Sequence, residues 1–315
     1  MIIRPRPNWL RMLFLLRGSV LPAIAPQLAL TTGFAVLVTL LHGRLFSLKI
    51  PLTFVPFSLI GLTLAIFLGF RNNTSYARYW EARGLWGSLL NASRTLARQA
   101  CTLSDGGDGA DGADGEEAAA RARPFVYRLA AFAHALRHQL RGSAPGQDMA
   151  RLLSPEDCAR VAQARFQPAV LLLMAGEWLR DMRRRGRLDP VLAAAMERPL
   201  ERLTEVLGGC ERIAGTPIPF TYAVILHRTT YLYCLLLPFG LLDSIGPTTP
   251  LIVAFIAYTF FALEALAAQL EEPFGTAPND LALEAISLTI EATLRETLGE
   301  RDLPAPPVAV DFVLR

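Results

Sequence analysis

IPLTFVPFSLIGLTLAIFLGFRNNTSYARYWEARGLWG, residues 50–87, is the stretch that decides the fold. Its first 21 residues, Ile50 to Phe70, carry no charge and are bounded by Lys49 and Arg71. At ~1.5 Å per residue, such a helix crosses a hydrocarbon core of ~30 Å. Two stripes run along it. Gly61, Ala65 and Gly69 recur at i, i+4 and i+8 and form a seam of small residues where another helix can approach closely. Leu62, Ile66 and Phe70, preceded by Ser58, recur at the same spacing about 100° further round. Those bulky side chains either face lipid or core or, if copies of the chain surround an axis, close a narrow apolar throat. The helical pattern continues past Arg71 through Tyr76, Tyr79, Trp80 and Trp86 with no turn signal, an aromatic and basic border typical of a helix leaving a membrane.

The rest of the chain agrees with a membrane protein. Hydrophobic residues make up 52% of the sequence, charged residues only 19%, and the mean hydropathy is +0.33. A net charge of +3 is too small to imply nucleic acid. The N-terminus is polar and arginine-rich, with no cleavable leader pattern; Arg4, Arg6, Arg11 and Arg17 alternate with Trp9, Leu10, Leu13 and Phe14 as an amphipathic lead-in suited to a membrane surface. Pro22 and Pro26 are expected to break the start of the first apolar stretch, leaving a span from about Leu28 to Leu41. Residues 229–263 hold two more spans, the first borrowing length from Tyr222 to Leu226. Between the second and third spans, residues 71–228 lack any long apolar stretch and carry most of the arginines. The pattern there predicts helices over Phe125–Leu140, Ala159–Arg185 and Pro190–Ile213. The expected order is therefore an interfacial segment (1–27), two membrane helices (28–70), a helical domain (71–228), two membrane helices (229–263) and a C-terminal helix near Leu281–Leu298 with an extended tail (264–315). Arginines near the membrane ends place both termini and the helical domain in the cytoplasm.

Chemistry is sparse. No phosphate loop, GxSxG or HExxH pattern is present, so no enzyme, cofactor or catalytic residue is expected. Asp105 to Glu117 reads as a solvated glycine-rich loop whose acids have the wrong spacing for an EF-hand. His134 and His138 share a helix face, but with no third ligand in view they read as solvated rather than metal-binding. Glu177 and Glu264 are the acids with the best claim to desolvation, Glu264 as half of an ion pair. Arg183, Arg184, Arg185 and Arg187 most simply end a helix favourably against its dipole. The four cysteines have no CxxC spacing and read as reduced packing thiols.

The block FLGFRNNTSYARYWEARGLWG, with IIRPRPNWL near the start and EEPFG and NDLALEAI near the end, resembles the bestrophin family, in particular its bacterial branch. The resemblance implies an all-α, homopentameric ion channel with four membrane helices per subunit in a bacterial inner membrane, whose partners are further copies of itself, membrane lipid and monovalent ions. It puts the hydrophobic neck at Leu62, Ile66 and Phe70, with LGF at Leu68 to Phe70 fixing the register, and a second, cytoplasmic constriction at Leu171 and Met174. Animal members hold calcium with an acidic run after PFG; here PFG is followed by TAPND, which leaves Asp280 alone and makes that clasp doubtful. The uncharged neck leaves the sign of the ion open on physical grounds. Resemblance to bacterial members implies monovalent cations such as sodium and potassium, with chloride as the alternative.

Overall fold

The computed structural model describes residues 1–5, 8–16, 18–42, 44–45, 48–49, 53–104 and 114–314. Expectations that concern Arg6, Arg17, residues 50–52, the acidic run before Asp114 and the side chains of Arg44 and Lys49 lie outside the described residues. The chain is helical: α1 (Trp9–Leu13), α2 (Leu21–Leu40), α3 (Phe54–Thr102), α4 (Asp114–Arg141), α5 (Gly146–Leu152), α6 (Pro155–Ala162), α7 (Gln167–Arg184), α8 (Pro190–Gly215), α9 (Phe220–Ile245), α10 (Thr249–Glu271) and α11 (Leu283–Thr297). A two-residue antiparallel ladder, Arg44–Leu45 with Leu48–Lys49, joins α2 to α3. Contacts divide the chain into two compact units. One comprises Pro5–Tyr79 and Pro217–Pro273; the other comprises Met1–Arg4, Trp80–Thr216 and Phe274–Arg315.

The first unit has an apolar core. Ile24 and Ala35 of α2, Phe57, Leu64 and Leu68 of α3, Tyr233, Cys234 and Leu237 of α9, and Val253, Ala257 and Phe261 of α10 share one core. Among the described residues, three helical stretches are long and apolar enough to cross a membrane: Leu21–Leu40, Phe54–Thr102 and Phe220–Glu271. The last is two helices, because Gly246 takes φ +55° and turns α9 through a short 3-10 segment into α10. The helix in α2 starts at Leu21, not near Leu28. Pro22 falls in the first turn, where an N–H would have no partner, and Pro26 removes only one early hydrogen bond. As expected, α3 runs unbroken from the apolar span into the polar region for 49 residues.

A small residue missed by the seam argument governs the approach of α3 to α9. A β-carbon at Gly240 would lie 2.5 Å from Phe57 Cδ2 and 2.6 Å from Cε2, so the ring would have to shift. Gly240→Val should therefore destabilise this unit by about 1–3 kcal/mol through overpacking. Thermal unfolding of the purified protein checks it; an unchanged melting temperature would mean that the contact does not form.

In the second unit α4 is central, packing against α5, α7, α8 and α11. Phe125 stacks on Trp178 at 4.5 Å, and Trp178 Nε1 donates to Arg121 O, which fixes α4 against α7. The expected continuous helix Ala159–Arg185 is two, α6 and α7. Pro168 cannot supply the N–H that a continuous helix would direct at Ala164 O, and Phe166 leaves helical geometry. Asp114–Glu117, expected in the loop, form the first turn of α4, where acids suit the helix dipole. The arginine run does end α7, with Gly186 at φ +71° providing the left-handed cap. All four thiols are free.

Candidate functional site

One face of α3 is consumed by packing. Phe57, Leu64, Leu68, Arg71 and Ser75 are buried, a helical stripe turned toward α9 and α10. Phe57 meets the Tyr233 ring at 6.0 Å, and Tyr222 Oη donates to Phe67 O at 3.0 Å. Gly61 belongs to this contact, since a β-carbon there would lie 2.8 Å from Tyr233 Oη. Ala65 and Gly69, the other two members of the small-residue stripe, are exposed in the single chain, and a β-carbon at Gly69 would meet nothing within 4 Å.

The opposite face carries Leu62, Ile66 and Phe70, exposed to 61%, 49% and 60%. An apolar ladder left uncovered along a well-packed helix calls for a partner outside the chain: lipid, another copy or a lumen shared between copies. Immediately below it the polar groups are spent on structure. Arg71 is buried and its Nε donates to Glu271 Oε1 at 2.8 Å; Arg78 Nε donates to Glu271 O at 2.7 Å. Asn72 Nδ2 donates to Leu68 O and to Leu263 O, pinning α3 to α10. The sequence presents Arg71 as an interfacial anchor, whereas the structure neutralises it against Glu271. The full charge nearest to Phe70 is therefore half of an internal ion pair. Glu264, also near this end, pairs with His227 Nδ1 at 2.6 Å as the ion-pair reading expected.

Leu171 and Met174 do not share this exposure. They are 1% and 0% exposed, on the face of α7 that also buries Leu172, Ala175, Trp178 and Leu179. Side chains enclosed within one subunit cannot line a lumen between subunits, so the expectation of a constriction there is corrected. The large apolar side chains that α7 and α8 leave exposed are Leu173 and Val191.

The larger revision concerns His134 and His138. His134 is fully buried, its Nε2 2.9 Å from Glu291 Oε2, which is itself fully buried on α11. Its Nδ1 lies 3.5 Å from Asp148 Oδ2, the oxygen that also receives Arg137 and His138 Nε2 at 2.6 and 2.9 Å. Arg151 clamps Glu291 with both terminal nitrogens, and Arg295 reaches Glu291 Oε1 at 3.2 Å and Glu300 at 2.7 Å. The cluster ties α4, α5 and α11 together. The nearby His134 and His138 rings and the Arg137 guanidinium hold the Asp148 carboxyl well below the usual carboxylate range, against its own burial. Burial alone would raise Glu291, but the hydrogen bonds from His134 and Arg151 outweigh it and bring its pKa to about 2. Burial disfavours the His134 imidazolium, yet Asp148 and Glu291 outweigh that as well and raise its pKa. A solvated histidine face is thus replaced by a buried ion network. The only signal for it in sequence is the i, i+4 histidine pair, since Glu291 is 157 residues away.

Among the described residues, no group of three or more His, Cys, Asp or Glu side chains is arranged to hold a metal ion. Asp280 is buried and accepts from Ala277 N at 2.7 Å, and its charge acts on the nearby N-terminal ammonium of Met1.

Comparison with known proteins adds the following. Residues 1–296 match the family model described as Bacterial/Fungal Bestrophin protein. The chain is 48% identical, over the full length of both, to a voltage-dependent anion channel-forming protein of Ralstonia nicotianae. It is 44% identical to one of Escherichia coli, covering 97% of this chain and 96% of that one. A crystal structure of a bacterial bestrophin homolog from Klebsiella pneumoniae superposes with a TM-score of 0.82 at 41% identity, covering 88% of this chain and 99% of the other.

Proposed function

The chain belongs to the bacterial and fungal bestrophin family, and from that premise we propose that it is a homopentameric membrane channel passing monovalent anions, chloride among them, through a neck formed by Leu62, Ile66 and Phe70. The observation that carries the reading is the exposed stripe on α3. Its three bulky residues stay about half or more uncovered while the reverse of the helix is packed, and a single copy cannot close such a face into a pore. Copies around an axis turn it into stacked apolar rings, which oppose hydration of a passing ion and act as a gate. Ala65 and Gly69, open in one chain, then become the place where a neighbouring α3 comes close.

In this reading the bilayer is crossed four times, by α2, the first part of α3, α9 and α10. Both termini and the helical domain, residues 71–228, face the cytoplasm of a bacterial inner membrane, a placement supported by the arginines near the membrane ends. The function is transport and not catalysis. The cation preference expected from the sequence gives way to its alternative, because relatives matching almost the whole chain at 44–48% identity bear anion-channel names. Local electrostatics is compatible with either sign: the neck is neutral, and Arg71 is cancelled by Glu271. A second constriction, if copies of the helical domain build one, draws on side chains exposed in each copy, such as Leu173 and Val191.

Two measurements on purified protein test this. Its mass in detergent should be five times the 34.5 kDa chain. Proteoliposomes loaded with chloride should release it when a compensating potassium pathway is opened with an ionophore. A monomer that still releases chloride would refute the shared neck, and a pentamer that retains chloride while passing sodium would restore the cation reading.

A further inference from the structure

Among the described residues, α1 is the one α-helix with no buried residue. Trp9, Leu10, Met12, Leu13, Phe14 and Leu16 are all exposed, six large apolar side chains within eight residues. A patch of this density on a soluble surface marks a binding face. Its position restricts what can cover it. Phe14 and Leu21, the first residue of the membrane helix α2, are seven residues apart, so even a fully extended connection keeps α1 within about 25 Å of the start of that span. A segment rich in Trp, Leu and Arg at that depth suits the headgroup region.

Charge narrows the choice further. Residues 1–80 contain no Asp or Glu, while Arg6, Arg11 and Arg17 lie in or beside α1. Arg11 makes no hydrogen bond or ion pair among the described residues. Arg4 is engaged elsewhere, its guanidinium over the Phe312 ring at 4.8 Å. The acids of the unit that contains α1 are Asp243, Glu264, Glu271 and Glu272. Glu264 is paired with His227, Glu271 with Arg71, and Asp243 sits at the C-terminal end of α9. The unit offers the α1 arginines little protein counter-charge, whereas an anionic leaflet offers it in abundance.

We infer that α1 is an interfacial anchor for anionic phospholipid: Trp9, Leu10, Leu13 and Phe14 enter the acyl boundary, and Arg11 holds phosphate-bearing headgroups. The anchor fixes the start of α2 at a set depth in the cytoplasmic leaflet. It takes the membrane placement of α2 from the proposed function and is independent of ion sign or conduction, which the test does not read.

The test uses the full-length protein in nanodiscs of phosphatidylcholine, with or without phosphatidylglycerol. The emission of Trp9 is isolated as the difference between the native protein and Trp9→Phe, since three other tryptophans remain. Lipids brominated near the headgroup should reduce that component by about twofold or more in discs containing phosphatidylglycerol, and clearly less in phosphatidylcholine alone. Arg11→Glu should abolish the difference between the two lipid compositions. Equal quenching in both compositions for the native protein would overturn headgroup recognition. Quenching by aqueous iodide without quenching by bromolipid would place α1 in solvent, and protection from both quenchers would place it against another protein copy. Either result overturns the proposal.

Discussion

Truncating Leu62, Ile66 and Phe70 together to alanine is expected to raise single-channel conductance, by up to about tenfold. The three side chains are exposed on α3 and take no part in the packing that uses Phe57, Leu64 and Leu68, so in the proposed neck alanine removes three apolar rings without disturbing that core. An apolar constriction opposes ion passage because the ion loses hydration there and gains nothing in exchange. Lowering that barrier by about 1.4 kcal/mol raises the rate about tenfold. Phe70 contributes most, being the largest ring and lying next to the ion-paired end of the span. Planar-bilayer recordings of the assembled triple variant check it; an unchanged unitary current would place the barrier elsewhere in the molecule.

The second large effect is expected in the helical unit. Glu291→Gln leaves the buried His134 and the largely buried Arg295 facing a neutral amide, while Arg151 keeps Asp148 and access to water. Breaking a buried ion pair on one side costs up to about 3–5 kcal/mol, and the solvent access of Arg151 brings the expected loss toward the lower end. The helix α11 should then lose protection in hydrogen exchange before the rest of the unit. The same cluster sets a pH window. The pKa of His134 is raised above 6.5, so its stabilising contribution is complete below that value and disappears as pH climbs through the folded value. The pKa of Glu291 is lowered from 4.5 to about 2, so its contribution is complete above 4.5 and disappears as pH falls toward 2. Asp148 acts in the same direction as Glu291. Protection of α11 should therefore be greatest between about pH 4.5 and 6.5 and weaken on both sides, and Glu291→Gln should blunt the alkaline limb. Protection that is flat from acid to alkaline pH and indifferent to the substitution would remove the cluster from any role in docking α11.

What could be read beforehand divides along physical lines. Leu62, Ile66 and Phe70 were legible because a stripe on one helix is a local pattern, and the continuity of α3 was legible because nothing in residues 71–80 breaks a helix. The helix ends were less so: Pro22 and Pro26 look like breakers in a hydropathy trace, but the first turn tolerates Pro22 and Pro26 removes only one hydrogen bond. Leu171 and Met174 illustrate a different limit. Periodicity identifies the apolar face of α7 and leaves open whether that face meets its own chain or a lumen, and here Phe125 and its neighbours on α4 already occupy it. His134 fails for the same reason in reverse. A histidine among alanines on α4 carries no mark of the carboxylate that arrives from α11, so burial and charge pairing emerge only once distant helices meet. Gly240 likewise gains its importance only from the Phe57 ring brought beside it.

The sign of the permeant ion is where family resemblance and the names of relatives part company, and the neutral neck does not decide it. The most direct test of the channel account is the reversal potential of single purified channels in a planar bilayer under a sodium chloride gradient. Discrete openings that reverse close to the chloride equilibrium potential are the predicted result. Reversal at the sodium equilibrium potential would contradict anion selectivity, and the absence of unitary currents from correctly assembled protein would contradict the channel itself.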